Sequence, residues 1–127
     1  MRAFGIMAIG LALTASGAGA TDVSLGPDRS VSLIEVIYED APSLARFRFL
    51  DKDIGPEGLQ FEDVVDDMVT LCESFAVPQV TKDGRAPEQV VISISDRVVP
   101  FGEISPEATQ YFDAFRIEGA RCMWEQF

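Results

Sequence analysis

Histidine is absent from the 127 residues, only 2 cysteines occur, and 10 Lys plus Arg stand against 21 Asp plus Glu. Without histidine the chain lacks the usual general base at neutral pH, the Ser/His/Asp and Cys/His nucleophile systems, and nearly all zinc ligand sets. A formal net charge of -11 argues against a nucleic-acid binder, because phosphate backbones must be neutralised by Lys and Arg. No repeat, low-complexity tract or second domain boundary is visible. An apolar share of 47% then suits one small globular domain.

What is present begins with a targeting pattern. Met1-Arg2 is a short positive start, Ala3 to Leu13 is an uncharged apolar run, and Ser16 to Ala20 is a series of small residues. Those are the three regions of a secretory signal peptide over residues 1–20, with Ala18-x-Ala20 placing cleavage before Thr21. The apolar run is about 11 residues, short of the roughly 20 that cross a bilayer, so no stable membrane insertion is expected after cleavage. No Cys follows the cleavage point, which argues against a lipid anchor. The expected location is periplasmic or secreted, and losing Arg2 takes the charge from -11 to -12.

An oxidising compartment and an even pair of cysteines with no CxxC spacing predict one structural disulfide, Cys72 to Cys122. It closes a loop of about 50 residues, for which the chain-entropy model gives roughly 4 kcal/mol. A redox role for two free thiols lacks the basic or His neighbours that would lower a thiol pKa.

Residues 21–30 mix Gly, Pro and Asp and read as an N-terminal arm, with a single α+β domain over residues 31–127. Val31 to Glu39 is rich in Val, Ile and Leu and predicts a strand. Leu44 to Leu50 alternates clearly, with Ala45, Phe47 and Phe49 on one face and Arg46 and Arg48 on the other, so the two segments form an antiparallel hairpin. From Phe61 to Phe75, apolar residues recur at three- and four-residue steps, the signature of an amphipathic helix of about four turns that Pro78 stops. Cys72 lies inside this stripe and so faces the core.

Val90 to Ser95 reads as a further strand, and Val98 to Gly102 either leaves it or continues it at an edge. Ser105-Pro106 resembles a helix start, and Ala108, Tyr111, Phe112 and Phe115 have helical spacing. The expectation is one helical turn, then a closing hairpin that turns near Gly119, with Cys122 and Trp124 facing the helix. The fold class is α+β: an antiparallel sheet of about five strands packed on one principal helix, in two layers with one disulfide.

Four features bear on chemistry. Asp51, Asp53 and Glu62 fall at the first, third and twelfth places of a calcium loop. Gly55 and Pro56 then break the pattern, and a strand precedes it, so a solvated acidic turn is the preferred reading and no metal or cofactor is expected. The helix carries Glu62, Asp63, Asp66, Asp67 and Glu73, with no Lys or Arg between Phe61 and Val77. A helix face of one sign suits either a docking surface for a cationic protein partner or simply a highly soluble surface. Arg46, Arg48 and Arg97 are candidates for binding an anionic ligand, although Arg46 and Arg48 could instead pair across the sheet with Glu35 or Glu125. Tyr111, Phe112, Phe115 and Trp124 concentrate aromatics near the C-terminus as pocket or core, and Phe101 is a candidate exposed contact.

The stretch from Val91 to Gly102, then Pro106 to Gln110, then Arg116-Ile117-Glu118 to Cys122-x-Trp124-Glu125-x-Phe127, with Cys72 in the helix, resembles a family of small exported alphaproteobacterial proteins classed as a domain of unknown function. The resemblance spans most of the chain after residue 20. It implies a bacterial, periplasm-directed protein and brings no activity, cofactor or catalytic residue with it.

The leading expectation is a monomeric periplasmic binding module with no catalytic residues of its own, its partner-binding candidates being Glu62, Asp63, Asp66, Asp67 and Phe101. The alternatives are a small-ligand binder or carboxylate-based enzyme using the arginines in a cleft, and an inhibitor of a basic hydrolase.

Overall fold

A computed structural model of the chain describes residues 21–125, so the signal peptide read in residues 1–20 lies outside the described residues. The strands are β1 (Thr21–Gly26), β2 (Arg29–Asp40), β3 (Ser43–Leu50), β4 (Gln89–Ser95), β5 (Gln110–Glu118) and β6 (Arg121–Trp124). Between β3 and β4 lies one helix of 22 residues, α1, running through Phe61–Leu71, Cys72–Ala76 and Val77–Lys82. The six strands form one curled sheet in sequence order, and all neighbours are antiparallel except β3 and β4, which are parallel.

The α+β class and the helix are as expected, and three points of the sheet differ. Six strands replace about five, because residues 21–26, read as part of an arm, pair with β2 as an edge strand. Their polar composition concealed this: an edge strand with one partner need not be apolar. The sheet is mixed, because the chain leaving β3 crosses the helix layer and returns at the same end, the connection a parallel pair requires. Finally, residues 106–116 make no helical turn; Ala108 bonds back to Ser105 in a tight turn and β5 starts at Gln110. Tyr111 and Phe115 are four apart, a spacing that puts residues on one side of a strand as well as of a helix.

Pro78 does not stop α1. The turn at Cys72–Ala76 is π-helical, with the Val77 N–H donating to the Cys72 carbonyl five residues back. This wider turn accommodates a proline ring that would clash with the preceding carbonyls of a regular helix, so α1 runs on to Lys82. Its N-terminus is closed by Asp63, whose carboxylate accepts the Gln60 backbone N–H at 2.8 Å.

The core lies between α1 and one face of the sheet. Ala45, Phe47 and Phe49 of β3, Val90, Ile92 and Ile94 of β4, and Phe115 of β5 are buried against Val64, Met68, Leu71, Ala76 and Val80. Phe75 meets Phe47 and Phe49 edge-on, with ring centroids 6.1 and 5.9 Å apart. Cys72 is bonded to Cys122 across 50 positions, fastening the π-helical turn to β6. Cys122 and Trp124 share the helix side of the sheet as expected, but Trp124 stays 50% exposed at the sheet edge, tilted against Phe115 and donating its indole N–H to Asp113 at 2.9 Å.

Candidate functional site

The face of the sheet that α1 does not cover carries the alternate residues of the same strands. The register sets Arg48 of β3, Ser93 of β4 and Phe112 of β5 side by side, and next to them Arg46, Val91 and Ala114. Over this floor folds the connection between β4 and β5. Its base is clasped by Asp96 and Thr109: the Asp96 N–H donates to the Thr109 carbonyl, and the Thr109 N–H to the Asp96 carboxylate, each at 3.0 Å. Burial acts to raise the Asp96 pKa but is outweighed by hydrogen bonds from Arg97 and Thr109, which hold it below the ordinary value. The carboxylate half of the clasp is therefore intact above the usual Asp range and is lost only as pH falls through that lowered value.

Arg48 pins the roof to the floor. One terminal nitrogen donates to the carbonyl of buried Val99 at 2.6 Å and the other to Glu35. Phe101 then lies over both arginines, its centroid 5.3 Å from the Arg46 guanidinium carbon and 5.6 Å from that of Arg48, within cation–π reach. Gly102, with φ +88, supplies the left-handed turn that follows. Between roof and floor remains a cleft of ≈ 210 Å³, lined by both arginines, Val91, Ser93, Gln110, Phe112 and the roof residues Val99 to Glu103. Arg46 donates its Nε to Glu39 at 2.8 Å, and its two terminal nitrogens have no hydrogen-bond partner among the described residues.

Of the anion-binding candidates, the fold thus unites Arg46 and Arg48, adds Phe101, and leaves Arg97 outside, exposed and paired with Asp96 at 3.3 Å. Arg48 takes Glu35, one of the two expected cross-sheet acids, while Glu125 goes to Arg116 at 3.2 Å. The acidic helix residues separate by role. Glu62 and Asp66 point to solvent, Asp63 closes the helix start, Asp67 accepts from Arg29 at 2.7 Å, and Glu73 accepts the Cys122 backbone N–H at 2.9 Å.

Arg29 is a residue sequence reasoning missed, since it falls in the segment read as an arm. It also donates to both oxygens of Asp51, at 2.9 and 3.3 Å, and lies 3.5 Å from Asp53. The hydrogen bond to Asp51 is the largest influence and raises the Arg29 pKa further above its ordinary value. Asp51 is only 2% exposed and accepts the Asp53 N–H as well, so it ties the end of β3 to β2 and α1. Its oxygens are thereby committed to internal donors rather than set out as in a calcium loop. The aromatic concentration also divides. Phe115 is core, Tyr111 packs edge-on against Phe61, and Phe112 is 64% exposed on the cleft side.

These features define a single-helix α+β domain with a mixed sheet, buried on one face and carrying a roofed cleft on the other. The chain belongs to a family of unknown function (DUF6497), whose model matches residues 8–127. No curated protein and no solved structure matches it. Among the described residues no helix is long and apolar enough to cross a membrane.

Proposed function

We propose that the protein is exported, loses residues 1–20, and acts in the periplasm as a monomeric binding domain without chemistry of its own, with the open-face cleft as its contact site. The signal-peptide pattern and the Cys72–Cys122 disulfide support the compartment. The observation that carries the binding reading is the cleft itself. It joins exposed aromatic walls to a guanidinium whose terminal nitrogens have no hydrogen-bond partner among the described residues, the combination of apolar surface and a few placed polar groups that ligand sites show. A cationic partner on the helix face is a second reading, supported by the exposure of Glu62 and Asp66 one turn apart.

Amide shifts of the ¹⁵N-labelled protein from Thr21 onward, on adding the low-molecular-weight fraction and then the protein fraction of periplasmic extract, test this. Shifts at Val91, Ser93, Gln110 and Phe112 are expected. Shifts confined to the first turns of α1 would favour the cationic partner, and none from either fraction would overturn the binding reading.

A further inference from the structure

We propose that the open-face cleft takes a small amphipathic monocarboxylate, with its carboxylate on the terminal nitrogens of Arg46 and its apolar body over Val91 between Phe101 and Phe112. This rests on the cleft being the contact site and adds the chemistry of what enters it.

The first argument is charge. On a chain of net charge -11, the cleft is lined by two arginines and one acid, Glu103, which is exposed on the roof. Glu35 and Glu39, which pair with Arg48 and Arg46, do not line the cleft. Those two acids offset the arginine charges at hydrogen-bond range, so an anion is selected by the terminal donors of Arg46 in the cleft lining and not by a net positive field.

The second argument is the division of labour between the arginines. Arg48 has committed both terminal nitrogens, to Val99 and Glu35, so it serves as the anchor of the roof. Among the described residues Arg46 engages only Nε, which leaves the forked end of its guanidinium, the geometry that matches a carboxylate through two parallel hydrogen bonds. Stacking under Phe101 and the Glu39 contact hold its plane before any ligand arrives. The Ser93 and Gln110 side chains also line the cleft with no hydrogen-bond partner among the described residues; the register sets Ser93 beside Arg48 and Gln110 farther from Arg46, past Phe112, so they are polar groups along the floor and not at the carboxylate end.

The third argument is size and polarity. At about 30 Å³ per water in the liquid, ≈ 210 Å³ holds about seven waters, room for a single-ring or medium-chain acid but not for a folded partner. Phe112 at 64% and Phe101 at 51% exposure are apolar walls that such a ring or chain would cover. A bare inorganic anion would leave both in water.

The experiment is titration of the protein from Thr21 onward with phenylacetate, phenylacetamide and acetate, read by calorimetry and by amide shifts. Phenylacetate is expected to saturate with shifts at Val91, Ser93, Gln110 and Phe112. Phenylacetamide, the uncharged isostere, and acetate, which lacks the ring, should each bind about tenfold more weakly or worse. Arg46→Gln should weaken phenylacetate by about tenfold, and Arg46→Lys, which keeps charge but loses the fork, by less. Both variants leave the core untouched, and unchanged thermal melting would confirm that they fold. Equal binding of the amide, full binding by Arg46→Gln, or no saturable binding of phenylacetate would overturn the proposal. If phenylacetate fails while the extract still shifts the cleft amides, the ligand class is wrong and the cleft reading survives; if both fail, both fall.

Discussion

The two faces of the sheet are built from the same strands and differ in what they give the molecule. On the helix side, Ala45, Phe47, Phe49, Val90, Ile92 and Ile94 are all but removed from water. One residue along each strand, on the other side, stand Arg46, Arg48, Val91, Ser93, Phe112 and Ala114, of which only Arg48 and Ala114 are buried. A strand's side chains alternate strictly, so one run such as Leu44 to Leu50 can supply a core face and a cation-bearing face at once. The contrast teaches that stability is concentrated on the covered face, which frees the open face to leave Phe112 and the Arg46 guanidinium accessible to a ligand.

The sharpest break of that contrast is a pair of Phe→Ala changes. Phe47→Ala empties a fully buried site against Phe75 and should cost about 3–5 kcal/mol in urea unfolding. Phe112→Ala, on the open face, should change stability by less than about 0.5 kcal/mol. Similar costs for the two would mean that the open face is buried in the folded protein. Next in size is the disulfide, which belongs to the covered face alone. Replacing both Cys72 and Cys122 by Ala should cost about 2–4 kcal/mol, because the closed loop spans 50 positions and its closure restricts the unfolded chain. A loss below about 1 kcal/mol would show that the helix and β6 hold together through packing alone.

Which of these features the sequence reveals follows from the range of the interactions behind them. The alternation of Leu44 to Leu50, the stripe from Phe61 to Phe75 and the turn at Gly119 are local patterns, and each is realised. The disulfide was legible from cysteine number and the inferred compartment. What escaped depends on distant partners. Residues 21–26 become a strand only because β2 offers an edge. Pro78 is tolerated only because the turn before it widens. Phe112 and Phe115 look alike in a helical pattern and separate to opposite faces once β5 pairs with β4. For the candidate site, Arg46 and Arg48 were readable as an outward pair, and Phe101 as an exposed contact. That Phe101 folds over those arginines depends on the Arg48 hydrogen bond to Val99, 51 positions away, which no local pattern encodes.

The last prediction separates two acids that are neighbours in sequence and equivalent in a charge count. Asp67 is linked to Arg29, which also carries buried Asp51, so Asp67→Lys places a cation against that guanidinium and weakens the tie between α1 and β2. Breaking a buried pair costs about 3–5 kcal/mol; here Arg29 and Asp67 are about a quarter exposed, so about 1–3 kcal/mol is expected. Asp66 has no such partner among the described residues and lies one helical turn after Glu62, a like-charge arrangement. Asp66→Lys converts that repulsion to attraction and should stabilise by about 0.2–0.5 kcal/mol, an effect that shrinks with added salt. Equal and small effects at both positions in paired urea unfolding would show that the Asp67–Arg29 link contributes nothing to stability, and that Asp67, like Asp66, acts as surface charge. Opposite signs would leave Glu62 and Asp66 as the part of the acidic face open to a partner, with Asp67 belonging to the fold.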